Sequence, residues 1–306
     1  MYLESIQHCE ATSCVIVMDF KENFWVGGGP VETGTCFFSK KQVSVLGFAV
    51  HYRDEYGNYK IKYFDYLSEI LSHDSLFVSD CIAKLLVHPF MLQFNALAFW
   101  SDSGPHFHSA ELLHFVCERL PGKFPRKLFS LNFFGEYHGK SVVDGHFGVL
   151  SCWFNEGERV RYITSISDLI CWLRGKARSG LCGIDVFFDI YLRQQRPRFI
   201  HKLVIQDFRS CSSFVRTEHI LYVSSLSTMK PVDYRQVNFI VKVCRDNHNT
   251  KYAPARIGGK PEVPVVMGSR SQQILLTRMR FISDLPQLME LSEHSFDGDA
   301  MEITEV

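Results

Sequence analysis

A chain of 306 residues with 46% hydrophobic and 22% charged side chains is long enough to bury one large core or two small ones, and too apolar to remain disordered. Its 33 Lys and Arg balance 33 Asp and Glu overall, but regionally there are 14 basic against 19 acidic residues in 1–173, 19 against 7 in 174–282, and none against 7 in 283–306. No apolar run reaches the ~20 residues of a membrane span, no charged-then-apolar leader opens the chain, and the ten cysteines follow no regular spacing, which points to free thiols in a reducing compartment.

The first element is the apolar, β-branched run CVIVMDF at 14–20, read as a strand with Asp19 near its end. A carboxylate in a buried run is costly without a partner, so Asp19 asks for a reason. VGGGP at 26–30 is a loop that lacks the spacing of a phosphate-binding glycine motif. TCFFS, QVSVLGFAVHYR and YKIKYFDYL then read as strands, the last two joined through the turn residues DEYGN. From Ser75, apolar residues at Leu76, Val78, Ile82, Leu85 and Leu86 have helical spacing, and Pro89 ends the helix.

ALAFWSD is a short strand that stops at Asp102. HSAELLHFVCERL follows as a helix with Ser109 as its N-cap, LFSLNFF as a further strand, and HGKSVVDGHFGVLSCWF as a helix carrying Asp144. SISDLICWLRGKAR is a short amphipathic helix capped by Ser165 or Ser167. Three strands followed by strand–helix alternation imply an α/β fold, a mixed sheet with helices on both faces. Beyond about residue 181, GIDVFFDIYL, PRFIHKLVI, HILYVSSL and VNFIVKVC are strand-like, with Arg and Lys between them, and suggest a small basic β-rich domain.

Two stretches carry a resemblance. SDSGPHFHSAEL resembles the S-D-N-G-P-x-F segment of retroviral integrases and DDE/D transposases, and EYHGKSVVDGHFG is similar to the last catalytic helix of transposase-like proteins of eukaryotic mobile elements. The resemblance covers about residues 14–178 and implies an RNase H-like catalytic core. Matched position by position, it implies that Asp19, Asp102 and Asp144 are catalytic and bind Mg²⁺ or Mn²⁺. Ser103 stands where the motif has Asn. Glu136, 34 residues after Asp102 where Asp144 is 42, is the alternative third acid, and His138 is a candidate to orient a water or the scissile phosphate.

The chemistry suits those residue types. Cleaving a phosphodiester, or joining a 3′-hydroxyl to one, requires an activated oxygen nucleophile and a stabilised leaving oxygen, and divalent ions held by carboxylates supply both. The expected organisation is therefore an RNase H-like core at 14–178, a basic β-rich region at 179–282 as a candidate DNA-binding surface, and an acidic, disordered tail at 283–306. The expected function is a transposase- or integrase-like nuclease. Its partner is DNA, its site of action the nucleus by virtue of that partner alone, with a homo-oligomer as a further candidate and no membrane contact. The alternative is a domesticated, catalytically silent derivative that binds DNA or protein. A zinc hydrolase built on the His-rich segments is a weaker reading, because His108 and His114 do not have the spacing of H-E-x-x-H.

Overall fold

The computed structural model describes residues 2–7, 9–31, 34, 39–134, 142–179, 183–193, 199–202, 208–216, 221–224, 232–234 and 240–243. After a short helix α1 (Tyr2–Gln7), the chain lays down β1 (Ser13–Val26), β2 (Lys41–Arg53) and β3 (Tyr59–Ser68) as an antiparallel meander. Helix α2 (Ser75–Val87) leads to β4 (Ala96–Ser101), which pairs parallel with β1 from Ser13↔Ala96 to Val17↔Trp100. A helix opening at Ala110–His114, here α3, then leads to β5 (Leu128–Phe133), parallel to β4. Helices α4 (Val142–Val160) and α5 (Ile166–Arg178) follow.

β1 sits in the middle because it is apolar on both sides. Residues 14–18 are buried without alternation, as expected of a strand covered on both faces. Past Asp19 the strand continues to Val26, with a register shift between Lys21 and Phe24, a bulge that admits the charged KEN stretch. One face of the sheet packs Ile16, Met18, Phe48 and Phe99 against α2 and α3, and the other packs Val15, Val17, Val45 and Trp100 against α4 and α5. The protein is thus mixed α/β, with helices on both faces.

Local signals fix the helix ends. Asp74 and Ser109 accept the backbone N–H groups of Phe77 and Leu112, and Ser165, of the two candidates, forms a reciprocal capping box with Asp168 at α5. After Ala110–His114, α3 widens into a π turn over Phe115–Arg119 and closes over Leu120–Lys123. Pro121 has no N–H to return to Cys117, and the N–H of Leu120 reaches back to Phe115 instead. At the Gly-rich loop, Gly27 has φ +124° and exchanges backbone bonds with the α4–α5 connection, its N–H reaching Ile163 at 2.7 Å. A Cβ on Gly29 would lie 2.2 Å from the Tyr162 ring.

The strands expected to form a small separate domain instead extend this sheet. β6 (Val186–Ile190) adds parallel to β3, while β8 (Ser213–Arg216), β9 (Leu221–Ser224) and β10 (Val232–Tyr234) add beyond β5, giving the order β10-β9-β8-β5-β4-β1-β2-β3-β6. β7 (Phe199–Lys202) and β11 (Ile240–Val243) pair with each other. The edges of β3 and β5 would otherwise present unpaired backbone groups. Side chains secure both additions: Tyr191 stacks on Phe77 and donates to Asp80 at 2.9 Å, and the Ser213 hydroxyl donates to Asn132 at 2.7 Å. The seven cysteines among the described residues are free. TCFFS is described only at Ser39, a turn, and the basic and acidic stretches after Val243 lie outside the described residues.

Candidate active site where β1 and β4 part

The pairing of β1 with β4 ends at Val17↔Trp100. Two residues further on stand Asp19 and Asp102. Because side chains in a strand alternate with period 2, Asp19 continues the face of Val17, and Asp102, just past β4, follows Trp100. That face is the one covered by α4, whose first turn carries Asp144. Two adjacent parallel strands and the helix packed over them therefore deliver three carboxylates to one region.

The electrostatics report the same proximity. Burial pushes the Asp19 carboxyl from its ordinary 3.8 up to about 6, a 2.7 Å hydrogen bond from the Phe20 N–H works in the opposite direction, and the charges of Asp102 and Asp144 each raise it further. Asp19 is half-buried, whereas Asp102 and Asp144 are exposed. Asp102 accepts the Gly104 N–H at 3.0 Å, which closes an Asx-type turn and explains the Ser-Asp-Ser-Gly wording locally. Asp144 sits at a helix start, where the macrodipole favours negative charge.

Glu136 and His138 fall in segment 135–141, outside the described residues. The three aspartates form an all-oxygen set that suits a hard divalent cation. As the side chains stand, however, no three His, Cys, Asp or Glu among the described residues are grouped closely enough to hold one ion. The donor chemistry fits Mg²⁺ or Mn²⁺, and joint coordination would require side-chain rotation, beginning with Asp102 leaving its turn.

Two groups escaped the sequence reading. On the far face of β1, Phe20 is stacked by His73 with ring centroids 4.1 Å apart and met edge-on by His106 at 5.1 Å. Burial lowers the pKa of both imidazoles, while the neighbouring Asp102 charge pulls that of His106 back up. The only signal for this cluster was the unexplained His in HDS and in GPHF. The second group is a buried pair: His146 Nε2 lies 2.7 Å from Asp65 Oδ2, with both side chains essentially inaccessible. Its signal was a lone acid within YKIKYFDYL, and nothing in the sequence ties that acid to a histidine 81 residues away. By contrast, His108 of the weaker zinc reading stacks on Phe133 and bonds the Phe208 carbonyl oxygen at 3.1 Å, a structural role.

No helix among the described residues is long and apolar enough to cross a membrane. No curated protein matches the chain. The match that is found, to a family described only as a domain of unknown function, DUF8701, spans residues 1–221, which takes in the meander, all three aspartates and the sheet as far as the start of β9. By that match the chain belongs to the DUF8701 family.

Proposed function

We propose that this protein is an RNase H-like, divalent-metal-dependent nuclease or strand transferase that acts on DNA phosphodiesters. The observation that carries the reading is the mutual electrostatic reach of Asp19, Asp102 and Asp144, three acids from a central strand, the end of its parallel neighbour and the helix above them. The order β3-β2-β1-β4-β5, with β1 to β3 antiparallel and β4 and β5 parallel to β1, supports the RNase H-like assignment.

Asp19, Asp102 and Asp144 would hold Mg²⁺ or Mn²⁺, which when bound activates an oxygen nucleophile and stabilises the departing one. The chain's own contribution is placement. Asp19 comes from the most rigid strand, half-buried so that its ionised form gains most from a cation. Asp102 lies exposed at the rim, in a turn that releases its carboxylate at the cost of one hydrogen bond. His106 stands beside it, near the path of a strand entering the site. The basic excess of 174–282 suits the polyanion.

The test is nicking of labelled DNA with Mg²⁺ or Mn²⁺ by the wild-type chain and by Asp102→Asn. Cleavage by the wild type that the variant loses is the expected outcome. One observation favours a second reading, a silent derivative that binds DNA or protein: the three carboxylates do not stand within the grasp of a single ion. Absence of cleavage by both chains, with salt-sensitive DNA binding intact, would select it.

A further inference from the structure

Asp19, Gly47 and Asp65 form one row across the sheet: Asp19 on β1 is paired with Gly47 on β2, and Gly47 with Asp65 on β3. Directly paired residues project to the same face, so the row lies beneath the first turns of α4. That helix touches the row through two adjacent residues. His146 holds Asp65, and the Phe147 ring fills the space above Gly47, where an added Cβ would lie 2.6 Å from the ring and 3.0 Å from Asp65 Oδ1. Tyr63 stacks flat on His146, with centroids 4.0 Å apart and planes at 11°, which fixes the imidazole plane.

The pair is an odd choice if its purpose were only to hold the core together. Asp65 Oδ1 and His146 Nδ1 are buried without a hydrogen-bond partner, and each such group costs stability. Apolar side chains of similar volume commonly replace a buried ion pair without loss. What an apolar contact lacks is direction, since a helix on a greasy face can slide and rotate, whereas a 2.7 Å bond to one carboxylate sets both its height and its rotation. The residue fixed most directly is the one a half-turn earlier, Asp144.

We propose that Asp65 and His146 are positioning residues: together with the Gly47–Phe147 contact they lock the first turn of α4 onto the Asp19 row and so hold Asp144 beside Asp19. The purpose of that placement rests on the nuclease reading above. The placement itself is read without metal or nucleic acid, so failure of either idea is seen separately.

The experiment uses the full chain carrying Asp19→Cys and Asp144→Cys, treated with a short bifunctional thiol reagent, with the bridged peptides identified by mass spectrometry. The parent pair is expected to cross-link. Adding Asp65→Leu together with His146→Leu, which removes the bond without leaving a lone buried charge, is expected to lower the 19–144 yield at least fivefold while unfolding remains cooperative. Adding His146→Gln alone, which keeps a donor toward Asp65, is expected to hold the yield within twofold of the parent. An unchanged yield in the double-leucine chain would overturn the proposal, as would collapse of the whole fold in that chain, because the pair would then serve general stability. Failure of His146→Gln to keep the yield, or no cross-link in the parent, would overturn it as well.

Discussion

Replacing Asp19 by Asn should make the protein more stable at neutral and alkaline pH. The substitution is nearly isosteric, and its amide oxygen still accepts the Phe20 N–H, so the main change is the removal of a charge. A carboxyl raised from 3.8 to about 6 binds its proton more tightly in the folded chain than in the unfolded one. Its contribution to stability is therefore fully present below pH 3.8, declines as the pH rises toward 6 and is gone above that. At ~1.4 kcal/mol per unit the shift amounts to an upper bound of about 3 kcal/mol. Solvent screening at a half-buried site reduces this to ~1–2 kcal/mol, or roughly 3–6 °C in Tm for a fold of this size.

The assay is urea unfolding of wild type and Asp19→Asn at about pH 3.5, 5 and 8, without divalent ions and then with Mg²⁺. The variant is expected to match the wild type at the lowest pH, to gain through pH 5 and to lead by the full margin at pH 8. Mg²⁺ should narrow the gap by stabilising the wild type alone. A variant less stable than wild type at pH 8, or a gap that does not change with pH, would refute the argument that burial and the two neighbouring aspartates strain this carboxylate.

Three further outcomes are expected. Gly47→Ala places a methyl group against the buried Phe147 ring and should cost ~1–3 kcal/mol; an unchanged thermal midpoint would show that the ring moves aside freely. Ser165→Ala removes one half of the α5 capping box and should cost about 1 kcal/mol in urea unfolding, and a negligible loss would mean that Asp168 alone suffices. DNA binding should weaken steeply between low and moderate salt, and His106→Ala should lower cleavage more than it lowers that binding. Affinity indifferent to salt would remove the basic region from the interface.

The sequence signalled elements best where local chemistry decides. The β-branched runs of β1 and β4, the Asp and Ser caps, and the Pro89 stop of α2 all act within a few residues of themselves, and each is visible in the string. Asp19 and Asp102 stood out because an acid at the end of an apolar run is costly anywhere. Contacts between distant residues were illegible. Nothing in GIDVFFDIYL says that it will pair with β3, because Tyr191 reaches Phe77 and Asp80 only once the sheet exists. The Asp65–His146 bond and the Phe20–His73–His106 cluster are likewise products of the register among strands. Within β1 itself, the KEN stretch resembled a loop by composition, and only the bulge made it strand.

The wide turn in α3 bears on how this chain tolerates insertions and deletions. A π turn houses one residue more than the α-helix around it, so removing a single residue from Phe115–Arg119 would tighten the turn and rotate the rest of the helix by about 100° relative to Leu112 and Leu113. Leu120, buried at the far end of that turn, would swing out of the core, and the chain would reach β5 out of step with β4. An added residue elsewhere in the same helix would do similar harm. Length variation in this family should therefore gather in the connections between elements, with the count from Ser109 to Pro121 held constant.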